Sequence, residues 1–420
     1  MFVNSLMKDK VNSTAAMEVR QYTGNCMYYP FVVLMEATAK ATALPPNFLQ
    51  DCCGSMMLSA VNKECVVHMG RYKCKNRWWQ VCTANVGDGK SEALDIPMEC
   101  MLEAMHNVGS QYTVGVAADR YHYQQGGTNA SAVDRFRFCD GYLSVVCSEA
   151  SRVLAAAQAK GHPVDEGKYI DVTKFLDAAH GNEFSHQNMR QRETFANQTA
   201  KQRKHPQDAA APPAGVHMKK TNMHVMFMQQ EVIFMDWWCQ IAEEFSVGAP
   251  QRCMHTFAAV AERSQMAHKN FQDDITLPFL TLLYTLQLRS VGPKVVGKLD
   301  HLKISCSSDH DQVVEDVDEV LQMFKNEMPI GRKCLKEGLP KGMYWLGTMI
   351  MANHLMEQLC PHVFEHFARP TASREQVGEK PPELASAVSD GAFMASVNAV
   401  AQNIYMASLY WPHPLKKRFG

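Results

Sequence analysis

The sequence has no run of 18 or more apolar residues, the length a helix needs to cross a bilayer. Its longest candidate, ITLPFLTLLYTLQL at residues 275–288, is fourteen residues with a proline and several threonines, so a buried helix is expected there. The 14 cysteines include no C-x-x-C pair and no even spacing, and no secretory leader precedes them. These absences predict a soluble intracellular chain, cytoplasmic or nuclear and not secreted, whose thiols act mostly as small buried hydrophobes. Without a leader, the sequon Asn129-Ala130-Ser131 carries no weight. Net charge is missing too: 42 Lys and Arg balance 43 Asp and Glu. A protein held on nucleic acid by its overall field is thereby excluded, and any polyanion contact must come from a local patch.

What is present is a 420-residue chain, 46% hydrophobic, enough for one large core or two to three smaller ones. Its 27 methionines read as adaptable core filler. Residues 1–75 read mainly as an N-terminal helical region: YPFVVLMEATAKATAL is apolar at helical spacing, and NFLQDCCGSMMLSAVN restarts a helix after Pro45-Pro46. From Cys65 the pattern shortens to two strands, CVVHMG and RWWQVCTA, with RYKCKNR as a basic turn between them.

Residues 76–264 then alternate strand and helix. SEALDIPMECMLEAM is helical with a kink expected at Pro97; YTVGVAA, GYLSVVCSE and NMHVMFMQQ are strands, and EVIFMDWWCQIAEEF is a helix. Such alternation predicts parallel βαβ units in an α/β fold. Residues 265–420 read as a C-terminal helical domain, including QVVEDVDEVLQMFKNEM and MYWLGTMIMANHLMEQLCPHVFEHFA. The polar and Ala/Pro-rich stretches 201–215 and 369–384 read as loops, and the six acids in 309–319 as an exposed loop and helix start.

One stretch carries a chemistry. Ala84-Asn85-Val86-Gly87-Asp88-Gly89-Lys90-Ser91 fits a small residue, four free positions, then Gly-Lys-Ser. Glycines let the backbone curl so that its N–H groups face a phosphate, and the following helix adds its positive end. Val86, Gly87, Asp88, Gly89, Lys90, Ser91 and Glu92 are therefore the candidate ATP-binding residues, with Lys90 reaching the β/γ oxygens and Ser91 ligating Mg²⁺. The plainer alternative is a glycine turn before a helix. A triphosphatase also needs an acid at the end of a second strand to hold Mg²⁺ and activate water, and Glu149 ends GYLSVVCSE.

Taken in order, GDGKSEALDIP, CSEA (147–150), FLDAAHGNEFSHQNMRQRET, HVMFMQQ and EEFSVGAPQRCMHTF resemble a family of P-loop ATPase domains. That family occurs in primase/helicase-like proteins of phages, plasmids and other mobile elements. The resemblance covers roughly residues 28–400, and only the phosphate loop is a sharp motif. It implies a P-loop NTPase of RecA/AAA-like type, a parallel-sheet core flanked by N- and C-terminal helical domains, with ATP and Mg²⁺ as cofactors. It implies Glu149 as base and, through water, as a Mg²⁺ ligand. Gln229 or Gln230 would sense the γ-phosphate or the attacking water. Arg252 would steady phosphate charge, across a subunit boundary if the protein forms homo-oligomeric rings. The chain departs from the pattern at Ser148, where the family has Asp; a serine can orient a metal-bound water but supplies no charge.

Against these stand plainer roles: Glu149 as a helix N-terminal acid, the glutamines as strand-end polar groups, Arg252 as a surface ion-pair partner. Residues 189–220 hold seven Lys and Arg against two acids, so Arg190, Arg192, Lys201, Arg203 and Lys204 are candidates to track a nucleic-acid backbone, or else are a solvated loop. His354, Cys360, His362 and His366 share helical spacing, but no second ligand pair completes a zinc pattern. The expected function is an ATP-dependent, helicase- or translocase-like motor on nucleic acid in replication of a mobile element. The alternatives are a small-molecule phosphotransferase and a nucleotide-gated binding or scaffold protein that has lost hydrolysis.

Overall fold

The computed structural model describes residues 27–28, 44–61, 65–111, 123–124, 141–148, 150, 184–186, 216–218, 221–230, 252–257, 303–327, 342–367 and 384–410. It also describes Ala132, Val133, Phe136, Ile233 and isolated helical positions between 31 and 42. The architecture is α/β. A five-stranded sheet is built from β3 (Trp79–Ala84), β4 (Tyr123–Gln124), β5 (Tyr142–Cys147), β8 (Asn222–Gln230) and β9 (Met254–Phe257). Its order is β4-β5-β8-β3-β9, and every pairing is parallel. A parallel sheet is covered on both faces, so its inner strands run apolar without alternation. All six residues of β3 and the first eight of β8 are buried.

Helix α1 (Pro46–Ala60) packs against β8 and β9 and against α2 (Lys90–Gln111). Proline fits the first turn of α1, where its missing N–H costs nothing. Helix α2 continues without a break through Pro97. Two strands, β6 (Phe184–His186) and β7 (Val216–Met218), form a separate antiparallel pair.

The stretch read as a basic turn is corrected. Only Gly70-Arg71 turns; Tyr72–Lys75 is itself a strand, β2, hairpinned onto β1 (Val66–Met69). A third strand from far along the chain, β10 (Lys303–Ser305), pairs parallel to β1. The acidic stretch 309–319 is likewise no loop. Helix α3 (Ser308–Glu327) begins before it, buries Val314 and Val317, and receives Arg71 on Asp318 at 2.6 Å. Helices α4 (Gly342–Phe367) and α5 (Asp390–Tyr410) pack on one another, α4 also on β1 and β2 and α5 on β9. One continuous apolar core runs from Met27 and Phe31 through α1, β3 and α2 to α4 and Ile404. None of the described helices is long and apolar enough to cross a membrane.

Candidate functional site

Strand order decides where an open α/β sheet binds things. After β3 the next described strand is β4, at one edge of the sheet; after β8 it is β9, beyond β3 on the other side. Connections from the adjacent strands β3 and β8 therefore leave in opposite directions, which opens a crevice at their carboxyl ends. The glycine loop, residues 85–89, follows β3 directly into that crevice and ends at the first turn of α2.

The loop's shape depends on two glycines in the left-handed region, Gly87 at φ +89° and Gly89 at φ +70°. Gly89 is constrained twice over, because a Cβ there would stand 2.6 Å from Leu44 Cδ2. Leu44 and Pro45, just before α1, thus brace the loop from behind. The first helical bond, Ala93 N–H to Gly89 O at 3.0 Å, puts the N–H groups of Lys90, Ser91 and Glu92 outside the helix's own ladder. Lys90 Nζ donates to Asn85 O at 2.6 Å and lies 3.5 Å from Ala84 O. Asn85 N–H donates to Asp88 Oδ2 at 2.9 Å.

These groups open on a cavity of about 350 Å³, within the usual size of a small-molecule site. The loop and helix side is Val86, Gly87, Gly89, Lys90, Ser91 and Glu92; the sheet side is Ser148, Gln229, Gln230 and Ile233. Ser148 follows β5, and Ala150 N–H bonds Met228 O at 3.0 Å, fastening that strand end to β8. Gln229 is 3% exposed, and its Nε2 has no hydrogen-bond partner among the described residues. A buried amide left unmet costs about 1–3 kcal/mol, so its place on a cavity wall is informative. The arrangement sets a lysine, a helix N-terminus, two serine hydroxyls and an amide donor around one space, donors suited to a polyanion.

Arg252 is elsewhere. The pairing of Gln80 with Met254 puts it level with Trp78, at the amino end of β3. At about 3.3 Å per residue, that is on the order of 20 Å from the glycine loop. Its carbonyl accepts Trp345 Nε1–H at 3.1 Å, and a separate small cleft there includes Arg77, Tyr344 and Thr348. Arg77 lies 3.8 Å from the centre of the Tyr344 ring, and burial lowers its guanidinium to about 10. Glu149, Arg190, Arg192, Lys201, Arg203 and Lys204 lie outside the described residues. His354 is buried on α4 and bonds Ala385 O at 2.8 Å; Cys360 is buried on the same helix. Among the described residues no group of three or more His, Cys, Asp or Glu is placed to hold a metal ion.

Sequence reasoning named Asp88 only as a loop residue and did not foresee its local bond to Asn85, which carries no motif; it passed over Asp51. Asp51, on α1, accepts hydrogen bonds from Thr256 Oγ1 and, at 3.3 Å, from Gln80 Nε2. Burial raises its carboxyl to about 7, against the Thr256 bond, which lowers it. No family profile, curated protein or solved structure matches this chain.

Proposed function

We propose that this chain is a P-loop ATPase of the mobile-element primase/helicase-like type, binding ATP with Mg²⁺ at the carboxyl ends of β3, β5 and β8. The observation that carries the reading is the convergence at the strand-order switch. There a two-glycine loop at a helix head meets, across one cavity, the buried amide of Gln229, whose Nε2 has no partner among the described residues. Lys90 would exchange the Asn85 and Ala84 carbonyls for β- and γ-phosphate oxygens. Ser91 would hold Mg²⁺, Ser148 would orient water on it, and Gln229 would donate to the γ-phosphate. Mg²⁺ is bound mainly through substrate phosphates and one or two protein oxygens, so the serine-lined wall fits it; the ion neutralises developing phosphate charge. Arg252, at the far end of the sheet, would serve only the site of a neighbouring subunit.

The motor on nucleic acid rests on the family resemblance and the basic stretch 190–204. ATPase activity measured with and without single-stranded DNA tests it. Stimulation supports the motor, and steady turnover indifferent to DNA contradicts it in favour of a small-molecule phosphotransferase. One observation favours a second reading, a nucleotide-gated binding protein: Ser148, which stands where the resembling family has Asp, lines the cavity with a hydroxyl in place of that carboxylate. Tight ATP binding with no turnover is the result that reading expects.

A further inference from the structure

We infer that Asp88 is an internal anion that competes with phosphate for the glycine loop, lowering affinity for polyphosphate that carries no divalent cation. The inference rests on the nucleotide reading of the loop. A phosphate held there needs the loop's amides and the Lys90 ammonium. Both ends of one residue, Asn85, are already engaged from inside the loop. Its N–H goes to Asp88 Oδ2 at 2.9 Å, and its carbonyl takes Lys90 Nζ at 2.6 Å.

Asp88 belongs to the loop that borders the cavity, and Glu92 sets a carboxylate on the cavity wall itself, where Lys90 is the one cation among the described lining residues. Asp88 and Glu92 together outweigh that single positive charge. A triphosphate brings several more negative charges into the same space. A divalent cation on the phosphates offsets the repulsion, so Asp88 makes the site select the metal-complexed form. The buried amide of Gln229 on the opposite wall, its Nε2 without a partner among the described residues, marks independently that the cavity is built for an acceptor-rich ligand.

One unit of like charge within a few ångströms in a water-filled site changes affinity about fivefold. Equilibrium titrations with ATP and with inorganic tripolyphosphate, each with and without Mg²⁺, test this on the full chain and on Asp88→Asn, Asp88→Ala and Lys90→Ala. Asparagine keeps an acceptor for Asn85 N–H while removing the charge. The expected result is about fivefold tighter binding of metal-free ATP and tripolyphosphate by Asp88→Asn, with a smaller gain when Mg²⁺ is present. A similar gain in Asp88→Ala supports competition. Affinity unchanged or weakened in Asp88→Asn overturns the inference and leaves Asp88 as a brace of the loop. Undiminished binding by Lys90→Ala instead removes the nucleotide reading itself, so the two failures are distinguishable.

Discussion

Asp51→Asn should make the protein more stable at pH 8 while leaving it nearly unchanged at pH 4. Asp51 sits between α1 and the sheet, accepting from Thr256 and Gln80, and burial lifts its carboxyl from 3.8 to about 7. A raised acid pKa means that the folded state keeps its proton while the unfolded chain has already lost its own. The stabilisation is fully present below pH 3.8 and is lost as pH rises through about 7. At 1.36 kcal/mol per pH unit, the interval corresponds to about 4 kcal/mol. The residue keeps some solvent contact, so that figure is an upper bound. Asparagine accepts the Thr256 and Gln80 donors without a charge to bury. Denaturant unfolding of both proteins from pH 4 to pH 8.5 isolates the difference, since every other group titrates in both. Parallel stability curves across that range would falsify the account of Asp51.

Two further outcomes concern the cavity. Gln229→Leu removes the donor proposed to meet the γ-phosphate, and should weaken ATP binding about fivefold while leaving ADP binding within twofold; equal losses for the two nucleotides in calorimetry contradict the assignment. Ser148→Asp places a carboxylate where the β5 end meets the cavity. It should lower the Mg²⁺ concentration needed for half-maximal ATP hydrolysis by about tenfold, and an unchanged Mg²⁺ titration contradicts that placement.

Much of this was legible because its signals are local. The apolar run before the glycine loop, the Gly-Lys-Ser step and the helix after it are consecutive in sequence, and β3 and α2 form there. β5 and β8 are long buried runs that read as strands on composition alone. What escaped depends on partners distant in the chain. β9 is four residues, Met254–Phe257, interrupted by His255 and Thr256, and is a strand because β3 lies beside it. β10 is three residues with two exposed, given its conformation by β1 more than 230 positions earlier. The stacking of Arg77 on Tyr344 joins residues from opposite thirds of the chain and leaves no periodic trace. Of the two candidate glutamines, sequence left the choice open; the proposal uses Gln229 because its buried Nε2 has no hydrogen-bond partner among the described residues.

The central claim is that the loop between β3 and α2 holds a triphosphate through Lys90. Equilibrium binding of ATP to the parent chain and to Lys90→Ala measures it most directly. A charge-assisted contact to phosphate is worth about 1.5–3 kcal/mol. The account predicts ATP binding by the parent and a loss of at least about tenfold in the variant. Equal affinity in the two proteins, or no ATP binding by the parent, contradicts it.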